Sequence, residues 1–460
     1  YEDRIAEVYY KTGLAAYRAT AYGEAERYMV KLLQRKEITK YSLVKYYIGE
    51  SAFRLGNYDQ AAVTLQSFLD DKPNAPEKYR SAALERIGDA NWAIDAEVRG
   101  ESITLQHLPV GINTPDSDVM YVQGPGGVRY FSTNHNFEFK QDSVRPKRTL
   151  TRIMRQTGEN TAVALPELIN QAGKNVAHAA FNTEFTQVYY QVCDFRAETQ
   201  DELICDLFRA DVDAGGEWSN PVKLDLNTAG YSTAQPNVGK DLATGKEYLF
   251  FASDRPGGKG GMDIYRAAIQ GDGSVSTPEN LTAVNTSDTE ATPFWYGPRN
   301  TLYFATDGRF TFGGLDVYKA YYLGERFREP VNAGTPVNSS ADDAYYTRYN
   351  DPAQASVASR RAGEETLYYS EERDVCCYDM YDFTPDPRID LQILTFNKLT
   401  GKELIGATVA LYKVTPNGPE LVEEITNLDD NIFNFLVEPG AKYEAKAIKD
   451  GFSDDMDAFD

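Results

Sequence analysis

The stretch Leu249–Arg266, LFFASDRPGGKGGMDIYR, recurs at Leu302–Lys319 as LYFATDGRFTFGGLDVYK, and this pairing limits the fold more than any other feature. Each copy runs through an aromatic arm, a small residue, Ser/Thr–Asp and a Gly-rich loop. It then continues into Asp, a β-branched residue, Tyr and a basic residue. Asp254 and Asp263 stand nine apart, as do Asp307 and Asp316. β-Branched and aromatic arms around a glycine turn predict a hairpin for each copy.

Weaker copies follow the same plan. Val188–Asp194 returns at Ile204–Arg209, Leu367–Glu371 returns at Tyr378–Phe383, and Gly127–Ser132 returns at Leu150–Met154. The return-arm aromatics Phe208, Tyr265, Tyr318 and Tyr381 are separated by 57, 53 and 63 residues. That period, with room for about four strands per copy, predicts the blades of a β-propeller. Five copies fall between residues 113 and 384, so five blades are expected, with six as the alternative. The strand-like Glu101–Leu108 precedes the first copy and is placed to complete the last blade, closing the ring and removing its sheet edges.

At 460 residues the chain is too long for one core. The reading divides it into a helical domain at 1–97, the propeller at 98–384 and a small β-sandwich at 385–460. The formal net charge is −22, which repels phosphate backbones and argues against nucleic-acid binding. No apolar run approaches the roughly 18 residues of a membrane span. The chain opens in helical pattern at Tyr1 and reads as a mature or trimmed product from which an export signal was removed. Cys193 and Cys205 fall on opposite arms of one hairpin, as a disulfide or as two packed thiols. Cys376 and Cys377 are adjacent and lack metal-site spacing.

Residues 1–97 carry apolar positions at three- and four-residue spacing. Within them YYIGESAFRLGNYDQAAVTLQSFLDDKP, at Tyr46–Pro73, resembles a tetratricopeptide repeat, with Gly49, Ala52, Tyr58, Ala61 and Pro73 at the packing and terminating positions. Thr12–Leu33 repeats the plan and Ile87, Gly88 and Trp92 begin a third pair. That resemblance implies a concave groove lined by Tyr10, Leu14, Tyr17, Tyr46, Glu50, Phe53 and Trp92, with affinity for a protein segment. From Ile389 onward the order strand, TGK turn, GATV, strand, PGAKYEA, KDGF resembles the carboxypeptidase regulatory-like domain, which implies a transthyretin-like sandwich without peptidase activity.

Catalytic constellations are not visible. His107, His135 and His178 are scattered, and no zinc motif, nucleophile elbow or phosphate-cradling loop is present. The paired aspartates of the hairpins lack calcium-loop spacing and read as acceptors for turn amides. Neither a catalytic residue, a metal ligand nor a cofactor is therefore expected.

In combination, the three modules resemble the OmpA-family multidomain component of the type IX secretion system of Bacteroidetes bacteria. That resemblance implies a non-enzymatic scaffold in the periplasm at the outer membrane, with a possible lipid anchor. Its partners would be outer-membrane and periplasmic proteins of the secretion complex, and peptidoglycan through an OmpA-like domain that this sequence lacks. The alternative reading is a propeller that recognises a peptide or glycan in its channel, in the manner of TolB or of sensor propellers. A propeller-associated hydrolase or lyase stands behind it.

Overall fold

A computed structural model describes residues 2–97, 103–140, 142, 147–196, 202–361 and 377–459. The chain forms two compact units, residues 1–384 and 385–460.

The first unit opens with α1 (Glu2–Arg18), α2 (Tyr22–Leu33), α3 (Val44–Arg54), α4 (Tyr58–Asp71) and α5 (Glu77–Glu97). Ala25, Met29 and Leu32 of α2 and Ala61, Leu65 and Phe68 of α4 are buried at one-turn spacing, which gives each helix one apolar stripe. Gly49 lets α3 approach α4 closely, since a Cβ there would stand 2.5 Å from Leu65 Cγ. Gly56, at φ +78, turns the chain between them.

The expectation of a fold led by tetratricopeptide repeats is corrected. Among the described residues there are five α-helices against twenty-six strands, and the chain is mainly β. The helices do not stack onward because α5 has propeller loops, and no sixth helix, against its outer side. Trp92 packs on Phe312 with ring centroids 4.8 Å apart and stacks on Phe310 at 6.0 Å. The Tyr58 hydroxyl donates to the Phe312 carbonyl at 2.8 Å, and Arg54 pairs with Asp342 at 3.6 Å.

After β1 (Gln106–His107) come four-stranded antiparallel sheets. The first is β2 (Asp118–Gln123), β3 (Arg129–Thr133), β4 (Arg152–Gly158) and β5 (Thr161–Ala164). The second is β6 (Asn175–Phe181), β7 (Gln187–Phe195), β8 (Leu203–Val212) and β9 (Trp218–Lys223). The third is β10 (Thr233–Lys240), β11 (Glu247–Ser253), β12 (Asp263–Ala268) and β13 (Glu279–Asn280). The fourth is β14 (Glu290–Tyr296), β15 (Thr301–Thr306), β16 (Asp316–Tyr321) and β17 (Val331–Asn332). The fifth combines β18 (Asp343–Arg348), β19 (Ala355–Ser359) and β20 (Asp379–Phe383) with β1 as its outer strand, Gln106 opposite Asp382 and His107 opposite Tyr381. The first strands β2, β6, β10, β14 and β18 neighbour one another in a closed cycle, so the described residues form a five-bladed propeller around a central axis. The Leu367–Glu371 arm lies outside the described residues; the second strand of the last blade is Ala355–Ser359.

Each blade begins with a buried or half-buried asparagine that clamps the blade before it. Asn113, Asn170, Asn227, Asn285 and Asn338 each accept from a backbone N–H and donate to the C=O of one residue on the preceding third strand. Those residues are Met380, Ile153, Leu207, Ile264 and Val317. One side-chain amide thus mimics a strand end and satisfies both backbone groups where sheet pairing has run out. Cys193 and Cys205, directly opposite on β7 and β8, form a disulfide. Cys377 is also disulfide-bonded, and Cys376 lies outside the described residues.

The second unit is a sandwich. Its larger sheet has the order β23 (Gly418–Asn427), β22 (Ala407–Thr415), β25 (Tyr443–Ile448), β26 (Asp455–Phe459). The smaller pairs β21 (Ile389–Leu394) with β24 (Ile432–Val437). Val409, Leu411, Phe433, Phe435 and Tyr443 form its core.

Candidate functional site

The five innermost strands share one irregularity. Each carries a register shift at its middle, and there a non-glycine residue takes a left-handed conformation. These are Met120 (φ 60), His178 (62), Gln235 (55), Thr292 (49) and Tyr345 (55). Such backbone is costly for residues with a Cβ, and persists where the surroundings over-determine it. Here they do. The His178 N–H donates to Ser132 Oγ at 3.0 Å and that of Gln235 to Gln191 Oε1 at 2.8 Å. Thr292 donates to Gln235 Oε1 at 2.9 Å and Tyr345 to Thr292 Oγ1 at 3.2 Å. Every acceptor sits on the preceding blade, so these bonds run around the axis.

Met120, Gln235, Thr292 and Tyr345 line one cavity of about 10 Å³, room for a single water. A larger ligand has no room among these four side chains and would sit at the mouth of the channel. On the face where the helices dock, His178 and Tyr345 have ring centroids 5.0 Å apart, and Tyr345 meets Tyr378 edge-on at 5.8 Å. Arg360 lies over Tyr378 at 5.4 Å and pairs with Asp342 at 3.0 Å. Burial lowers His178 to about 4, against a smaller opposing effect of Gln191, and leaves its buried Nδ1 without a partner. Burial also pushes Tyr345 up to about 12. At neutral pH both rings are uncharged, and Asp342 takes both Arg360 and Arg54 as partners.

The residues expected to line a groove on the helices are mostly engaged within the fold. Phe53 is buried, Tyr46 packs on Phe68 and Tyr79, and Tyr10 packs on Tyr41. Tyr17 donates to Glu50, and Glu50 pairs with Arg86 at 3.4 Å. Leu14 packs half-buried against the helical core, and Trp92 lies against the propeller. The hairpin aspartates hold turns: Asp263 accepts from the N–H of Lys259 and Gly260, Asp316 from Phe312, Asp254 from Ser232 and Asp307 from Thr289. His107 pairs with Asp379 at 3.1 Å and His135 with Asp116 at 2.8 Å. Sequence reasoning missed the mouth residues; a position seven or eight residues beyond each clamp asparagine would have found the five bulges.

Carboxylates at the starts of inner strands are bound by their own turns. Asp118 Oδ2 accepts from the Thr114 N–H and Oγ1, and Asp343 Oδ2 from the Ser339 N–H and Oγ. Burial raises Asp118 to about 7, above the opposing hydrogen bonds from Thr133 and Thr114, and raises Asp89 to about 6. A carboxyl raised on folding binds its proton more tightly in the folded state. Its stabilisation is full below the ordinary pKa of about 4 and is lost as pH rises through the folded value. Thermal melts at pH 5 and pH 8 should show a smaller fall for Asp118→Asn than for the wild type, the other carboxyls raised by burial, Asp89 and Asp316 among them, supplying the remainder. Equal falls would exclude Asp118 as a source.

No family model and no curated protein matches the chain. Solved structures do resemble it. Sucrose-6-phosphate hydrolase from Lactobacillus gasseri aligns at TM-score 0.41 and 11% identity, over 78% of this chain and 86% of that one. α-L-Arabinofuranosidase from Lactobacillus brevis aligns at 0.39 and 12%, over 65% and 95%. A protein of unknown function from Dyadobacter fermentans aligns at 0.38 and 11%, over 58% and 76%. Two expectations are corrected. With no family model matching, and with glycoside hydrolases among the similar structures, the reading as an OmpA-family secretion component does not stand. The expectation that the chain is not an enzyme falls with it. At these TM-scores the hydrolases lend no chemistry to this chain.

Proposed function

We propose that the propeller recognises a neutral glycan at the helix-bearing mouth of its axial channel. The observation that carries this reading is the edge-on meeting of the half-buried Tyr345 and Tyr378, with the buried His178 ring packed beside Tyr345. A pyranose alternates an apolar C–H face with hydroxyls that both donate and accept. The two phenols offer aromatic faces together with hydroxyls of the same two-way kind. The net charge of −22 disfavours acidic glycans by repulsion. The Cys193–Cys205 bond supports an oxidising compartment such as a bacterial periplasm.

The test is calorimetric titration of the full chain with neutral oligosaccharides, with neutral peptides as the comparison arm. Tyr345→Ala is expected to lose at least about tenfold in affinity, the value of one lost contact worth ~1.4 kcal/mol, while its far-ultraviolet spectrum is retained. Chromatography of the titrated sugars reads whether bound glycan is also cleaved. Binding that survives Tyr345→Ala unchanged, or a response to peptides alone, overturns the proposal.

A further inference from the structure

We propose that the open edge of the sandwich's larger sheet takes up an extended, basic peptide segment as a fifth strand. β23 is ten residues long and pairs on one side alone, with β22. Its outward N–H and C=O groups therefore form a template for a further strand. Along its middle the side chains are open to solvent: Leu421 is 57% exposed and Val422 44%, and Glu420, Glu423 and Glu424 are exposed as well, while Ile425 packs on the core.

Charge selects the occupant. β23 carries three glutamates and no basic residue. Of the neighbouring lysines, Lys413 stands opposite Glu420 but pairs with Glu438 at 2.6 Å, and Lys446 pairs with Asp454 at 2.9 Å. The opposite edge strand, β26, is acidic too, with Asp455 and Asp457. Two copies of β23 laid side by side would set glutamates against glutamates, which destabilises cross-strand pairs. A strand with lysine or arginine on the row of Glu420 and Glu423 and β-branched residues on the row of Leu421 instead neutralises those two glutamates and covers Leu421. The pairing adds backbone hydrogen bonds along the edge, and its ionic part weakens with salt.

The experiment uses the full chain and a fluorescent, end-blocked dodecapeptide of alternating Val and Lys, beside its Val–Glu counterpart. Binding is read by anisotropy and located by hydrogen exchange. The basic peptide is expected to bind at low salt, to weaken as salt rises, and to slow exchange within residues 418–427. Glu423→Lys with Glu424→Lys should weaken it at least tenfold, whereas the charge-matched pair Glu184→Lys with Glu325→Lys, both exposed on the propeller, should leave it unchanged. Protection elsewhere, equal loss in both double variants, or no binding overturns the inference. So does a peptide-free dimer that protects the same residues, which would give the edge to a second copy.

Discussion

Phe312→Ala is expected to release the helices from the propeller. The ring is fully buried in a loop between two strands of the fourth blade, an unusual place for a core residue. It lies against Trp92 at 4.8 Å and Tyr58 at 6.5 Å, while its own carbonyl accepts the Tyr58 hydroxyl. Truncating a buried Phe costs about 3–5 kcal/mol through lost transfer energy and the cavity left behind. Here the loss falls on the packing of α3, α4 and α5 against the blade. The expected result is faster hydrogen exchange in α5, with the blades unchanged. Phe310→Ala should do much less, because that ring is 53% exposed although it stacks on Trp92. Trp92→Ala should reproduce the Phe312 effect, and the double variant should fall short of the sum, since both remove one contact. If exchange in α5 is the same in Phe312→Ala and wild type, the docking rests on the Arg54–Asp342 pair and not on the ring.

This docking was half legible. The two hairpin copies differ where PGGKGG in one becomes RFTFGG in the other, and aromatics in a glycine turn signal burial. The sequence does not say which element covers them, because that depends on where the chain re-enters the ring. The blade period was legible from the aromatic arms, since alternating burial on both blade faces demands large side chains there. The last blade misled for a physical reason. Its second strand, ASVAS, has small residues throughout, so the aromatic LYYSE further on looked the better match. The bulge ring left no signature of residue type: Met, His, Gln, Thr and Tyr have no chemistry in common. What they share is backbone conformation, fixed at His178, Gln235, Thr292 and Tyr345 by hydrogen bonds to the preceding blade, and that is a tertiary property.

Asn113→Leu is expected to loosen the closure of the ring more than any equivalent change. Four of the clamp asparagines join blades already consecutive in the chain, whereas Asn113 joins the first blade to the last. It is fully buried, accepts from the Met380 N–H at 2.8 Å, and donates to the carbonyls of Met380 at 2.9 Å and Leu108 at 3.1 Å. Leucine has a similar volume but takes this partner from the Met380 N–H and the Leu108 carbonyl in the interior, at about 1–3 kcal/mol for each, while the Met380 carbonyl keeps the Leu108 N–H at 3.0 Å. Besides this clamp, closure uses the two-residue pairing of β1 with β20, the His107–Asp379 contact beside it, and bonds to the first blade from Thr347 Oγ1 (to the Tyr121 carbonyl) and the Asn350 N–H (to Gln123 Oε1). The variant should show a lower melting temperature and faster exchange in β1, β2 and β20 together. Asn227→Leu removes the same kind of bonds from Leu207, but at a half-buried site inside the chain-ordered part of the ring. Its exchange should rise in β8 and β10 alone, with a smaller drop in melting temperature. Equal drops in the two variants, with β1 and β20 unmoved in Asn113→Leu, would assign closure to strand pairing and inner-strand packing instead of to the clamp.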